Sequence, residues 1–154
     1  MKVGDQHNHL CAQELIYSKE GIYKELIEIV NDRKLSFGTV SPNDIKKDIN
    51  ERFNLLGWAD KVKVGNSNLT ISFSKSKVGV CFQIGNVART YADILKLMQL
   101  HKKGIIDVGI IYVPHKIESN KMGANYAQFE RLSKELTQFK EIITVPILVI
   151  GLYN

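Results

Sequence analysis

Between residues 13 and 30 the apolar positions Leu15, Ile16, Ile22, Tyr23, Leu26, Ile27 and Val30 recur close to helical spacing, with Gly21 interrupting the run and Asn31-Asp32 ending it. Ser41-Pro42-Asn43-Asp44 then writes a second helix start: a hydroxyl cap, a proline in the first turn and an acid beside it. Ile45, Ile49, Phe53 and Leu56 form one stripe behind that start, and Gly57 is a fitting stop. The period then changes to two. Leu69, Ile71 and Phe73 alternate with Thr70, Ser72 and Ser74; Lys75-Ser76-Lys77 turns the chain; Val78, Val80, Phe82 and Ile84 alternate with Gly79, Cys81 and Gln83. This pattern predicts a hairpin whose polar faces, Ser72 with Ser74 and Cys81 with Gln83, coincide when the strands pair.

Gly85-Asn86 leads into a third helix, with Asn86 as a cap and Val87, Tyr91, Ile94, Leu95, Met98 and His101 on its buried side. Gly104 stops it. Residues 105–113 read as a buried strand closed by Pro114. Tyr126, Phe129, Leu132, Leu136 and Phe139 define a fourth helix, and residues 145–150 a last apolar strand. Two helices followed by β-β-α-β-α-β predict an α/β fold, a layered sandwich in which a mixed β-sheet is flanked by helices.

A chain of 154 residues reads as a single domain, 1–154. Its hydrophobic fraction of 44% and charged fraction of 24% are those of a globular protein rather than a disordered one. Lys plus Arg number 21 against 16 Asp plus Glu, a net charge of +5 that favours an anionic partner, nucleic acid first. The polar opening lacks the apolar core of a signal peptide. The longest apolar stretch, 142–150, is broken by Thr144 and Pro146 and falls short of the ~20 residues that a bilayer requires. Two cysteines, Cys11 and Cys81, make neither a disulfide framework nor a Cys-x-x-Cys metal site, so a cytoplasmic protein with reduced thiols is expected.

The run Gln83-Ile84-Gly85-Asn86-Val87-Ala88-Arg89, then Tyr91-Ala92-Asp93, residues 106–110, Val113-Pro114 and residues 146–151 together resemble the BglII/BstYI group of type II restriction endonucleases. So do His7-Asn8-His9-Leu10 with Glu14, and the helix that ends at Gly57-Trp58. The resemblance runs in order along nearly the whole chain. It implies a restriction-endonuclease-like PD-(D/E)XK core, Mg²⁺ as cofactor, double-stranded DNA as partner and a homodimer straddling the duplex. The group's pattern is an Asp on the first core strand, a Glu nine residues later and a Gln two after that. Anchored on Gln83, the resemblance puts Cys81 at the Glu position and Ser72 at the Asp position.

That replacement changes the chemistry. Mg²⁺ is a hard ion held by carboxylates, phosphate oxygens and water, and its work in phosphodiester hydrolysis needs it fixed in place. Ser72 offers a neutral hydroxyl, Cys81 a soft sulfur that is mostly protonated at neutral pH, and Gln83 a single amide. Glu14 is the candidate to supply a missing carboxylate; Asp93 and Asp107 are more readily read as structural. The implied function is a DNA-binding protein on the endonuclease fold with Mg²⁺-dependent cleavage impaired or lost. An active Mg²⁺-dependent endonuclease and a non-catalytic interaction subunit are the alternatives. Lys75, Lys77, Asn86, Arg89 and Lys116, on loops and helix starts around the predicted core, are the candidate DNA contacts. Residues 31–41 and 58–68, which in the group help form DNA-binding arms, are short here, which weighs against base-specific reading. His7, His9 and Cys11 alternate as possible Zn²⁺ ligands from an extended segment, without an evident fourth.

Overall fold

The structure, a computed structural model, describes residues 1–154. In chain order the elements are β1 (Lys2–His9), α1 (Ala12–Tyr17), α2 (Ile22–Val30), α3 (Pro42–Leu55), β2 (Ala59–Lys63), β3 (Thr70–Lys75), β4 (Val78–Phe82), α4 (Ala88–Lys102), β5 (Val108–Pro114), α5 (Lys116–Met122), α6 (Phe129–Gln138) and β6 (Ile147–Tyr153). The strands form one six-stranded sheet in the order β1-β6-β5-β4-β3-β2. β4, β5 and β6 run parallel, while β1 on one side and β3 and β2 on the other are antiparallel to their neighbours.

The three parallel strands are apolar almost throughout because both of their faces are covered, as crossover connections through helices require. Val78, Val80 and Phe82 of β4, with Val108, Ile110 and Tyr112 of β5, pack into one cluster with Ile16, Leu26, Ile45, Ile49 and Phe53 from α1, α2 and α3. Cys81, Ile111, Val113, Ile147 and Val149 join the other cluster with Leu97 and Leu100 of α4 and Leu132 and Leu136 of α6. The predicted helix start at residue 41 is in place: the Ser41 hydroxyl accepts the Asp44 N–H at 3.1 Å, and Pro42 opens α3. The turn expected at Lys75-Ser76-Lys77 is also present, tightened to a two-residue loop in which Ser76 and Lys77 are both left-handed at φ 49° and 60°.

Four features depart from the sequence pattern. The periodic run 13–30 is two helices, because Gly21 takes φ 74° and breaks the backbone path between them. β1 and β2 carry no alternating apolar signature; as edge strands they bury little, and pairing with β6 and β3 rather than hydrophobic pattern makes them strands. α5 follows Pro114 as a short helix with no periodic stripe. The strict alternation of 69–74 fails at Ser72, since Ile71 packs into the α4/α6 cluster while Phe73 stacks on Phe53 at 3.9 Å on the other side. The neighbouring strand is irregular at the same level: Lys61, between the paired Asp60 and Val62, is left-handed at φ 47°. No helix is long and apolar enough to cross a membrane.

Candidate functional site

The loop after β4 is tied down before α4 begins. The Gln83 N–H donates to the Tyr112 carbonyl, extending the parallel ladder by one residue; Ala127 N–H donates to the Gly85 carbonyl; the Asn86 carboxamide oxygen accepts the Ala88 N–H at 2.8 Å. α4 then presents Arg89, Asp93 and Lys96 at i, i+4 and i+7, one helical face, toward the end of β4. The result is a cleft of about 490 Å³ between α3, β2, β3 and α4. Lys46 and Asn50 line it from α3, Lys61 from β2, Ser72 from β3, Gln83 from the end of β4, and Arg89, Asp93 and Lys96 from α4.

At its base the polar groups form a chain of hydrogen bonds. Lys96 Nζ donates to Asp93 Oδ1 at 2.8 Å, Gln83 Nε2 donates to Asp93 Oδ2 at 2.7 Å, and the Gly85 N–H donates to Gln83 Oε1 at 3.0 Å. Ser72 Oγ accepts the Phe82 N–H at 3.0 Å. Cys81 lies behind this row, 2% exposed. Burial, reinforced by the nearby Asp93 charge, pushes its thiol well above the usual range, against the smaller opposing effects of Lys96 and the Ser72 backbone N–H. The thiol is therefore neutral at physiological pH. Four cations and a single carboxylate line this cleft, and of the four only Lys96 is ion-paired.

These donors do not suit Mg²⁺. No group of three His, Cys, Asp or Glu side chains is arranged to hold a metal ion. In the cleft the one carboxylate has both oxygens engaged and its charge balanced by Lys96, the Gln83 oxygen is taken by a backbone donor, and the sulfur is soft, protonated and buried. Nor do His7, His9 and Cys11 make a metal centre: His9 Nε2 is engaged with the Ile143 carbonyl at 2.8 Å.

Of the candidates read from the sequence, the fold brings Ser72, Gln83 and Arg89 into one cleft, with Cys81 directly behind. The expected polar face shared by Cys81 and Gln83 is instead buried, because α4 covers it. Glu14 is elsewhere. It sits on α1, just beyond β1 at the far edge of the sheet from β3, exposed and accepting a hydrogen bond from Asn8 that holds its carboxyl below the usual value. Lys75 is not free for DNA: its ammonium is bound to both Glu25 oxygens and the Leu56 carbonyl, each at 2.8 Å. Lys77 lies in the hairpin turn, at the opposite end of β4 from Gln83, 4.0 Å from Asp107. Lys116 is exposed at the start of α5 and outside the cleft. Asn86 lines an adjoining polar hollow with Ser41, Asn43, Asn125 and Tyr126, and Lys46 belongs to both hollows. Asp93, set aside in the sequence as structural, is central. Lys46, Asn50 and Lys96 stand out only weakly in the sequence, through the i, i+4 spacing of Lys46 and Asn50 beside the buried stripe and the i, i+3 pair Asp93–Lys96.

A family model described as restriction endonuclease BglII/BglIII matches residues 5–152. The chain belongs to the BglII/BglIII restriction endonuclease family. Among solved structures, restriction endonuclease BglII complexed with a DNA 16-mer superposes with a TM-score of 0.82 at 17% identity, covering all of this chain and 77% of that one. Free BglII gives 0.77 at 19% identity, covering 100% and 80%. No curated protein sequence matches. The mixed six-stranded sheet flanked by helices is thus the BglII fold, as the resemblance in the sequence implied.

Proposed function

We propose that this BglII-family chain binds double-stranded DNA through the cleft between α3 and α4 and has lost Mg²⁺-dependent phosphodiester cleavage. The observation that carries this reading is the state of the row Ser72–Cys81–Gln83. The first two positions, which the family resemblance gives to acids, hold a hydroxyl bonded to the backbone and a buried neutral thiol; the remaining carboxylate, Asp93, is already balanced by Lys96. A phosphate-binding role is supported by Lys46, Lys61 and Arg89, three side chains without ion pairs around the same hollow. Asn86, in the adjoining hollow, extends this surface. The relation to BglII, whose structure with a DNA 16-mer shares this fold, makes the duplex the partner of choice.

The chain acts as one domain, 1–154, supported by a single sheet that takes strands from both ends of the sequence. It acts in the cytoplasm, where DNA is at hand, and as a homodimer, in keeping with a two-fold duplex target. A cleavage-competent alternative draws on one observation, the Asp93 carboxylate against Gln83. Two measurements separate the readings. Incubation with plasmid and Mg²⁺ or Mn²⁺ leaves the supercoiled form intact if cleavage is lost; discrete fragments establish the active alternative. Fluorescence anisotropy with a labelled duplex at low salt detects binding, and its absence beside a stable complex with another protein favours an interaction subunit.

A further inference from the structure

We propose that the Lys96 ammonium does in this cleft what a bound divalent cation would otherwise do, so that the protein binds DNA phosphate without metal; the inference rests on the DNA-binding reading above. A buried carboxylate must be given a counter-charge, because leaving it unpaired costs several kcal/mol. Asp93 is 7% exposed, and its only cation partner is Lys96. Gln83 takes the second Asp93 oxygen and itself satisfies the Gly85 N–H, while Ser72 is held by the Phe82 N–H. Each of these side-chain oxygens has a protein donor, so the site is electrostatically complete as it stands.

Lys96 has capacity left over. Its ammonium carries three donors and makes one hydrogen bond, to Asp93, while its side chain keeps 17% of its exposure in the cleft wall. Two N–H groups thus remain for an anion. A divalent ion entering the same place would meet a neutralised carboxylate and the repulsion of Lys96, with Arg89 and Lys46 nearby. A phosphate oxygen meets the reverse: a fixed positive charge whose orientation Asp93 already sets.

The test measures duplex affinity by anisotropy in EDTA and in Ca²⁺ at matched ionic strength, with Mn²⁺ uptake followed independently by electron paramagnetic resonance. The wild type binds equally in both media, within about twofold, and takes up no Mn²⁺. Lys96→Met weakens binding in EDTA by about tenfold, the loss of one phosphate contact near 0.1 M salt, and Ca²⁺ restores part of it. Lys96→Arg keeps the metal-independent binding. A wild type that binds DNA only with Ca²⁺, or that takes up Mn²⁺ competitively with Ca²⁺, overturns the inference and leaves DNA binding standing. No duplex binding in either medium overturns the DNA-binding reading and this inference with it, whereas Mn²⁺ uptake by the wild type overturns the inference alone. If Lys96→Met does not fold, the wild-type and Lys96→Arg measurements still decide.

Discussion

On the reading proposed above, the cations of the cleft set how steeply duplex binding falls with salt. Lys46, Lys61, Arg89 and Lys96 line one hollow, and a contact from each to phosphate would displace about 0.9 counterion apiece. The plot of log K against log salt then has a slope of about −3.6 for one protomer, and affinity falls by about 150-fold between 50 and 200 mM salt. Replacing Lys46, Lys61 and Arg89 with Gln leaves Lys96 alone, a slope of about −0.9 and a fall of about 3.5-fold over the same range. None of the three makes an ion pair, so the replacement leaves no acid unpartnered and stability is little changed. A dimer with both clefts on one duplex doubles the wild-type slope to about −7, on the order of 10⁴-fold over that range. Anisotropy titrations with a labelled duplex at several salt concentrations, with circular dichroism to confirm folding, measure all of this. A triple variant that folds and keeps the wild-type slope would refute the assignment of this cleft as the phosphate-binding surface.

Cys81 has a folded-state pKa above its unfolded value, so its contribution to stability is full below the unfolded pKa of about 8.5 and is lost as pH rises beyond it, at up to about 1.4 kcal/mol per pH unit; urea denaturation at successive alkaline pH values shows the fall, and Cys81→Ala removes that part of it. In the same protein a thiol reagent modifies exposed Cys11 quickly and Cys81 only on unfolding. Phe53→Ala costs about 3–5 kcal/mol by urea denaturation, since Phe53 is fully buried between Phe73, Trp58 and Tyr112, while Phe53→Leu costs less. Ser41→Ala costs about 1 kcal/mol through loss of the cap on α3, and Ser41→Asp restores most of it.

What could be read from the sequence followed from how much each element buries. β5 and β6 are covered on two faces and write continuous apolar runs; α3 carries both its stripe and its cap. β1 and β2 are edge strands whose outward residues are polar, so their existence depends on partners far away in the chain. The same distance hid the site. Lys75 looks like a free rim cation until Glu25, fifty residues earlier, is folded beside it. Glu14 looks close to the chemistry until β1 is placed at the opposite edge of the sheet. Cys81 looks like the polar half of an alternating strand because nothing local records that α4 lies over it. Asp93 and Lys96 were visible as a helical pair, but only the seating of α4 against the end of β4 turns that pair toward Gln83.

The two outer strands have a consequence of their own. β1 slips register between Val3 and Gln6, and β2 carries Asp60, Lys61 and Lys63 with a left-handed residue in its middle. A foreign strand seeking to extend the sheet would find a kinked rail on one side and a charged one on the other. Crowding many copies together should therefore not zip them into fibrils through these margins.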